Sequence, residues 1–424
     1  MSSHASKAAA TALPSAKIIK KRWFPCYGKR CGRHRCRRVT DGHQKSRAIA
    51  VKFRACFLFS ALGDAVGFHW EFDRSTSDIL KQAAALGGIG AIRVNKDWPV
   101  SDDTIMHIAT AKALIASKFA DLVVEESRQP PTYALFAAEL PLPFEAEVTY
   151  RYIQSMKFMD GRAPGVQCVD AVDNHLKKGY LPPFSTRAGG NGGSMRSMCI
   201  GLAVPNDWPL LVDLAMRAGL ITHPNFTAMF GSVASAAFTA LALEHKVDPA
   251  LWPILLLRDF IPLAKTWLKN NRNSWLQKYS DADNPLGNLN FFATQWQAYV
   301  DARFDLSGRK VFSQDWLQNS QKRDAFYERF AYVSPNGSTW CGSSGHDSVI
   351  IAYDCFLYNS TDWDTVLHLS ALHGGDSDST AAIAGAFFGA YNGMKKAATI
   401  PGLEFATELV NLSKDLFRAY PPTL

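Results

Sequence analysis

Two short stretches of the chain concentrate carboxylates beside hydroxyls: Ser101-Asp102-Asp103-Thr104 and Gly375-Asp376-Ser377-Asp378-Ser379-Thr380. Taken singly, each is an ordinary helix start, with a small polar cap and acids in the first turn, where the helix dipole favours them. Taken together, Asp102, Asp103, Asp376 and Asp378 would crowd four negative charges, with the hydroxyls of Ser101, Thr104, Ser379 and Thr380 beside them, and such a group needs a counter-ion. All of these donors are hard oxygens, and no His or Cys cluster stands beside them. The ion expected is therefore Mg²⁺, with Mn²⁺ as the alternative, rather than zinc. Two ions about 3.5–4 Å apart would be matched by four aspartates and could polarise a sugar hydroxyl and a water together. Gly374-Gly375 at the entry to the second motif suits a backbone bent tightly round a ligand. The chain has no Walker A loop, no G-x-G-x-x-G, no H-E-x-x-H and no G-x-S-x-G, which leaves metal-assisted hydrolysis as the chemistry.

The elements that must position these acids are helices. Met106, Ala109, Ala113, Ala116 and Ala120 form one helical stripe directly after the first motif, and a helix over residues 380–391 follows the second. Further stripes run through Met195, Met198, Cys199 and Leu202, through Met229, Val233, Ala236, Ala240 and Leu243, and through Val349, Ala352, Tyr353 and Phe356. Alternating strand patterns are scarce and no repeat recurs at a period of 20–50 residues, so the class expected is all-α, one compact multi-helix domain over residues 49–424. Helix interiors built from Ala, Gly and Ser, at residues 232–242 and 380–390, predict close backbone approach. Pro- and Gly-rich stretches at 129–143, 181–193 and 334–345 read as surface connections, the last two also as candidate ligand cradles.

The net charge of +8 belongs to one end. Residues 1–48 hold 13 of the 46 Lys and Arg and a single acid, Asp41, leaving 33 basic against 37 acidic residues in the remainder. This basic segment is expected to be a disordered tail without the apolar core of a secretion signal. A mitochondrial transit peptide, a nuclear-localisation or nucleic-acid-binding arm, and a solvated tail of a cytoplasmic protein are the readings it leaves open. Cys26, Cys31 and Cys36 lie there without the paired spacing of common zinc sites. Cys56, Cys168, Cys199, Cys341 and Cys355 read as buried thiols of a reducing compartment. No uninterrupted apolar run reaches the roughly 18 residues of a membrane span; the longest candidates, near Cys56 and Ala381, are broken by Gly or Asp. With no heptad pattern, a monomer is the default.

Five collinear motifs, Gly63-Asp64-Ala65-Val66-Gly67, Ser101-Asp102-Asp103-Thr104, Met159-Asp160-Gly161-Arg162-Ala163-Pro164-Gly165, Gly342-Ser343-Ser344-Gly345-His346-Asp347 and His373-Gly374-Gly375-Asp376-Ser377-Asp378-Ser379-Thr380, resemble the ADP-ribosylglycohydrolases, and most closely the ADP-ribosylarginine hydrolase branch. The resemblance runs from about residue 50 to the end. It implies a dinuclear magnesium centre at the bottom of an ADP-ribose cleft, with Ser101, Asp102, Asp103, Asp376, Asp378 and Ser379 as metal ligands. The reaction implied is hydrolysis of the bond between the anomeric ribose carbon and an arginine guanidino nitrogen of an ADP-ribosylated protein, releasing ADP-ribose. Asp103 or Asp378 would take the proton of the attacking water, with Asp102 beside them, and Glu71 would guard the site or protonate the leaving guanidine. Gly190, Asn191 and Gly192 are implied at the diphosphate, and Trp340, Ser343, Ser344, Gly345 and His346 at the distal part of the ligand. His346 has a second reading as a helix cap, Glu71 one as an exposed acid, and Asp64 and Arg162 are expected to support the loops. Serine-linked or other ADP-ribose conjugates are the alternative substrates, and an inactive ADP-ribose-binding or structural member of the family is the alternative class.

Overall fold

The computed structural model describes residues 32–73, 75–120, 143–178, 183–334, 337–394 and 400–421. The expectations for Cys26, Cys31, the side chain of Cys36 and most of the Pro-rich stretch 129–143 lie outside what is described. By packing, the chain divides into residues 1–43 and 44–424, and the cleft described below lies in the second unit. All regular structure among the described residues is helical, with three isolated β-bridges, so the class is all-α.

The centre is the helix Phe226–Glu244, in which every residue but the last is buried. Its apolar length would suffice to cross a membrane, but it is packed inside the protein along its whole length. Among the described residues it is this helix, and not the stretches near Cys56 and Ala381, that is long and apolar enough. The interruptions here include Ser232 and Thr239, whose hydroxyls donate to carbonyls within the helix: Ser232 to Ala228 O at 3.2 Å and Thr239 to Ser235 O at 2.9 Å. Small residues let neighbours approach its backbone; a Cβ on Gly201 would lie 2.1 Å from the Ala236 carbonyl oxygen.

The helix that carries the second acidic motif, Ser377–Asn392, packs in the same way on the first helix, Gly32–Phe68. Glycines at Gly63, Gly67, Gly385 and Gly389 face the carbonyls of Ala381, Ser377, Phe59 and Ala55, each with 2.2–2.3 Å between that oxygen and the position a Cβ would take. Steps of four residues on both helices put these contacts on one face of each. The consequence is register: Asp64, beside Gly63, and Asp378, beside Ser377, are brought to the same end of the pair.

The stripe expected through Met195 and Leu202 is broken. A 3₁₀ segment, Asn191–Arg196, precedes the helix Met198–Ala203, and the Ser197 hydroxyl donates to Gly193 O at 2.7 Å across the join. The four stripe residues are nonetheless buried, because both segments lie against the Phe226 helix. Much of the stretch 181–193 is likewise not a surface connection: Ala188, Gly189, Asn191, Gly192 and Gly193 are buried, and Leu286, His223 and Ser232 fill the space their Cβ atoms would need.

Replacing Gly63 or Gly385 by Ala tests the backbone contact. Helix propensity alone favours Ala by ~1 kcal/mol, whereas overpacking costs about 1–3 kcal/mol. The packing here predicts that G63A and G385A each lower the melting temperature, and a raised melting temperature in calorimetry would refute it.

Candidate active site

Two helix N-termini meet at the site. Asp102 and Asp103 open the helix Asp102–Ala120, and Asp376 and Asp378 open Ser377–Asn392. The first motif caps its helix, since Ser101 Oγ accepts the Asp103 amide at 3.1 Å. Asp64 holds this turn from behind, accepting the Ser101 amide at 2.9 Å, the Thr104 amide at 3.1 Å and a short bond from the Thr104 hydroxyl. Ser101 and Thr104 are thus engaged with the scaffold and fully or almost fully buried. The Thr380 hydroxyl is engaged too, with His373 Nε2 at 2.7 Å and Ser370 O at 2.8 Å.

A cleft of about 460 Å³ opens above these helix ends, lined among others by Glu71, Asp102, Asp103, Asp376, Asp378 and Ser379. Carboxylate oxygens of Glu71, Asp376 and Asp378 lie within 4.8 Å of one another. Glu71 is 6% exposed, so it belongs to the cleft and is not the solvated acid that its place after Trp70 allowed. Burial, with repulsion from Asp378 and other neighbouring acids, raises the Asp102 and Asp103 carboxyls far above the usual range. Burial and then Asp376 do the same to Asp378, and Asp376 itself is pushed up to about 7, chiefly by burial. Asp103 Oδ2 is buried with no hydrogen-bond partner. Buried hard-oxygen donors that repel one another and leave an acceptor unused fit a divalent cation of the Mg²⁺ type, and these residues would hold it.

The opposite wall is built from two segments zipped together. The Asn191 amide donates to Ser343 O at 3.0 Å and the Gly345 amide to Gly189 O at 2.9 Å. The Asn191 side-chain amide donates to Gly342 O at 2.9 Å and to Asp376 Oδ2 at 3.2 Å, tying this wall to the acids. Asp347 accepts the Gly342 and Ser344 amides at 3.1 and 2.8 Å and so shapes the turn, in which Gly342 has φ +91°. Gly190, Asn191, Gly192, Trp340 and Ser343 line the cleft, with Phe72 next to Trp340 at 6.2 Å between ring centres.

Three residues expected at the ligand do not line it. Ser344 is buried in the turn and Gly345 is pressed on the Thr227 carbonyl. The His346 ring faces away, with Nε2 2.6 Å from the Phe330 carbonyl and its ring edge-on to Phe291, and it makes no cap either. Conversely, Gln167, Cys168, Met195 and His223 line the cleft without having been singled out as site residues, and Arg196 lies buried nearby. An arginine inside an otherwise uncharged segment was the visible signal for Arg196. His223 had none, being one His in a Thr-His-Pro-Asn turn. Arg162 supports the loop as expected, donating to Val100 O and pairing with Glu404 at 2.6 Å, while its carbonyl accepts the Asp102 amide at 3.1 Å.

The profile of the ADP-ribosylglycohydrolase family matches residues 45–423. The chain is 34% identical over 393 residues to the ADP-ribosylhydrolase ARH1 of Dictyostelium discoideum, covering 86% of this chain and 93% of that one. It is 24% identical over 373 residues to the ADP-ribosylhydrolase ARH3 of Bos taurus, covering 81% and 86%. A solved ADP-ribosylglycohydrolase-related protein complex aligns over 88% of this chain and 99% of its own at 18% identity and a TM-score of 0.48.

The raised carboxyls fix a pH dependence. With folded pKa values above the unfolded ones, the native state binds more protons, so in chelator stability falls as pH climbs from about 4 towards 7. A cation replaces those protons. The Mg²⁺-induced rise in melting temperature is therefore expected to grow between about pH 5 and pH 8, and a rise that is constant or shrinks over that range would contradict the site.

Proposed function

The chain belongs to the ADP-ribosylglycohydrolase family of hydrolases acting on ADP-ribosyl conjugates, and from this we propose that it removes ADP-ribose from arginine side chains of proteins, with Mg²⁺ held between the two acidic motifs. The observation that carries the proposal is the meeting of Glu71, Asp376 and Asp378 within 4.8 Å in the cleft that Asp102 and Asp103 also line.

Mg²⁺ bound there would supply Lewis-acid polarisation of ribose hydroxyls and of a water. The residues of the chain do the rest. Asp103 or Asp378 accepts a proton from the attacking water as its oxygen bonds to the anomeric carbon and the C–N bond breaks. Glu71, protonated at the start and on the same cleft, gives its proton to the departing guanidino nitrogen, and the proton held by the aspartate passes to solvent, so the products are ADP-ribose and an unmodified arginine. Asn191 keeps Asp376 oriented through its 3.2 Å bond. The choice of arginine over serine rests on the likeness to the ARH1 relative and on electrostatics: five carboxylates and the Phe72–Trp340 pair suit a planar guanidinium better than a neutral hydroxyl.

Arginine-linked and serine-linked ADP-ribosyl peptides, each offered with Mg²⁺ and with chelator, distinguish the substrates. Release from the arginine peptide alone, abolished by chelator, is expected; release from the serine peptide instead would move the assignment. D378N should lower kcat/KM by at least about 10³-fold, roughly 4 kcal/mol of transition-state stabilisation. In chelator the same variant should melt higher than the unsubstituted protein, because one repelling charge is gone. A fully active D378N would contradict the proposal.

A further inference from the structure

Behind the glycine wall lies a buried cation that takes no step in the proposed reaction. The Arg196 guanidinium is fully buried and forms no ion pair with a described carboxylate. It is 4.3 Å over the Tyr152 ring, and Nη2 donates to the Ala218 carbonyl at 2.8 Å and to the Thr222 hydroxyl at 2.6 Å. Nη1 points at the Cys168 sulfur, 3.8 Å away. The same Thr222 oxygen is 2.8 Å from His223 Nδ1. The other edge of that imidazole lies against the glycine segment: a Cβ on Gly190 would sit 3.3 Å from Nε2, and one on Gly192 2.5 Å from Cε1 and 3.1 Å from Nε2. Arg196, Thr222 and His223 thus form a chain of contacts that ends in the cleft.

The direction of hydrogen bonding along this chain follows from its first member. A guanidinium only donates, so Thr222 Oγ1 must accept from Arg196. Its single proton then goes either to His223 Nδ1 or to the Cys168 sulfur, which is a weak acceptor. If it went to the sulfur, the Thr222 oxygen would face two donors, the guanidinium and an Nδ1–H, the second with its positive end towards the cation. Donation to a bare Nδ1 avoids this, and successive bonds of one direction polarise and strengthen one another at low dielectric. We infer that Arg196 and Thr222 are positioning residues that fix His223 as its Nε2–H tautomer, so that the cleft keeps a permanent donor beside Gly190 and Gly192 for an anionic or hydroxyl oxygen of the ligand.

Two features reinforce the assignment. Burial, and then the Arg196 charge, push the His223 pKa down to about 3, so the ring is not a proton carrier near neutral pH. Gly190 and Gly192 have a reason to lack side chains beyond ligand access, because the imidazole occupies that space. The ligand oxygen is taken to be one of ADP-ribose, which rests on the function proposed above; the state of the ring does not.

The test is nitrogen-15 NMR of the full-length chain with histidine-selective labelling, the signals of His223 being identified among the 11 histidines by H223Q. The relay predicts a bare, pyridine-like Nδ1 and a protonated Nε2. T222V should abolish that pattern and weaken ADP-ribose binding about tenfold, the effect of losing one well-placed hydrogen bond, whereas T222S should restore both. A protonated Nδ1 in the unsubstituted protein overturns the relay even if T222V does not fold. So does a folded T222V whose ring signals and affinity are unchanged. Failure of the unsubstituted protein to bind ADP-ribose at all would count against the functional reading, and the ring spectrum would still judge the relay.

Discussion

Like charges held out of water at close range dominate this molecule. Glu71, Asp102, Asp103, Asp376 and Asp378 share one cleft and all are buried. No fold gathers such a set for stability, because each ionised carboxylate is both desolvated and repelled by its neighbours. Two features of the chain lessen the cost. Asp102, Asp103 and Asp378 stand in the first turn of a helix, with Asp376 just before one, where the free amides and the dipole favour negative charge. Arg196 adds a positive charge within range of Asp102. What remains is a cluster that a divalent cation would neutralise, and the proposed chemistry follows from that.

The rest of the fold serves to make that convergence rigid. Glycines set four residues apart bring the first helix and the Ser377–Asn392 helix into backbone contact, which fixes where Asp64 and Asp378 stand. Asp64 in turn holds the Ser101–Thr104 turn through bonds to both of its ends. Asn191 reaches from the glycine wall to Asp376, so acid and wall cannot shift independently. Asp347 and Arg162 carry no chemistry in this picture, and each fixes a loop that borders the cleft.

Much of this is legible in the sequence because it is local. The acidic motifs announce themselves by residue type, and capping a helix does not preclude ligating a cation, since a helix N-terminus is a place for both. The all-α class follows from stripes such as Met229 to Leu243, and the close helix packing from runs of Ala, Gly and Ser. What was not legible depends on direction and on distant partners. Ser344, Gly345 and His346 sit in a motif whose neighbours Trp340 and Ser343 do line the cleft, but the turn shaped by Asp347 points them inward, and spacing does not encode that. His223 reaches the cleft only because a separate segment leaves room for its ring. The break at Ser197 is invisible to periodicity, because the residues on both sides of it are buried alike.

The proposed function requires that the five carboxylates bind divalent cations in this cleft. Anomalous diffraction from crystals grown with Mn²⁺ tests it most directly. Density bounded by Glu71, Asp102, Asp103, Asp376 and Asp378 is the predicted result. A cleft without anomalous signal at saturating Mn²⁺, or signal only elsewhere on the protein, would contradict it.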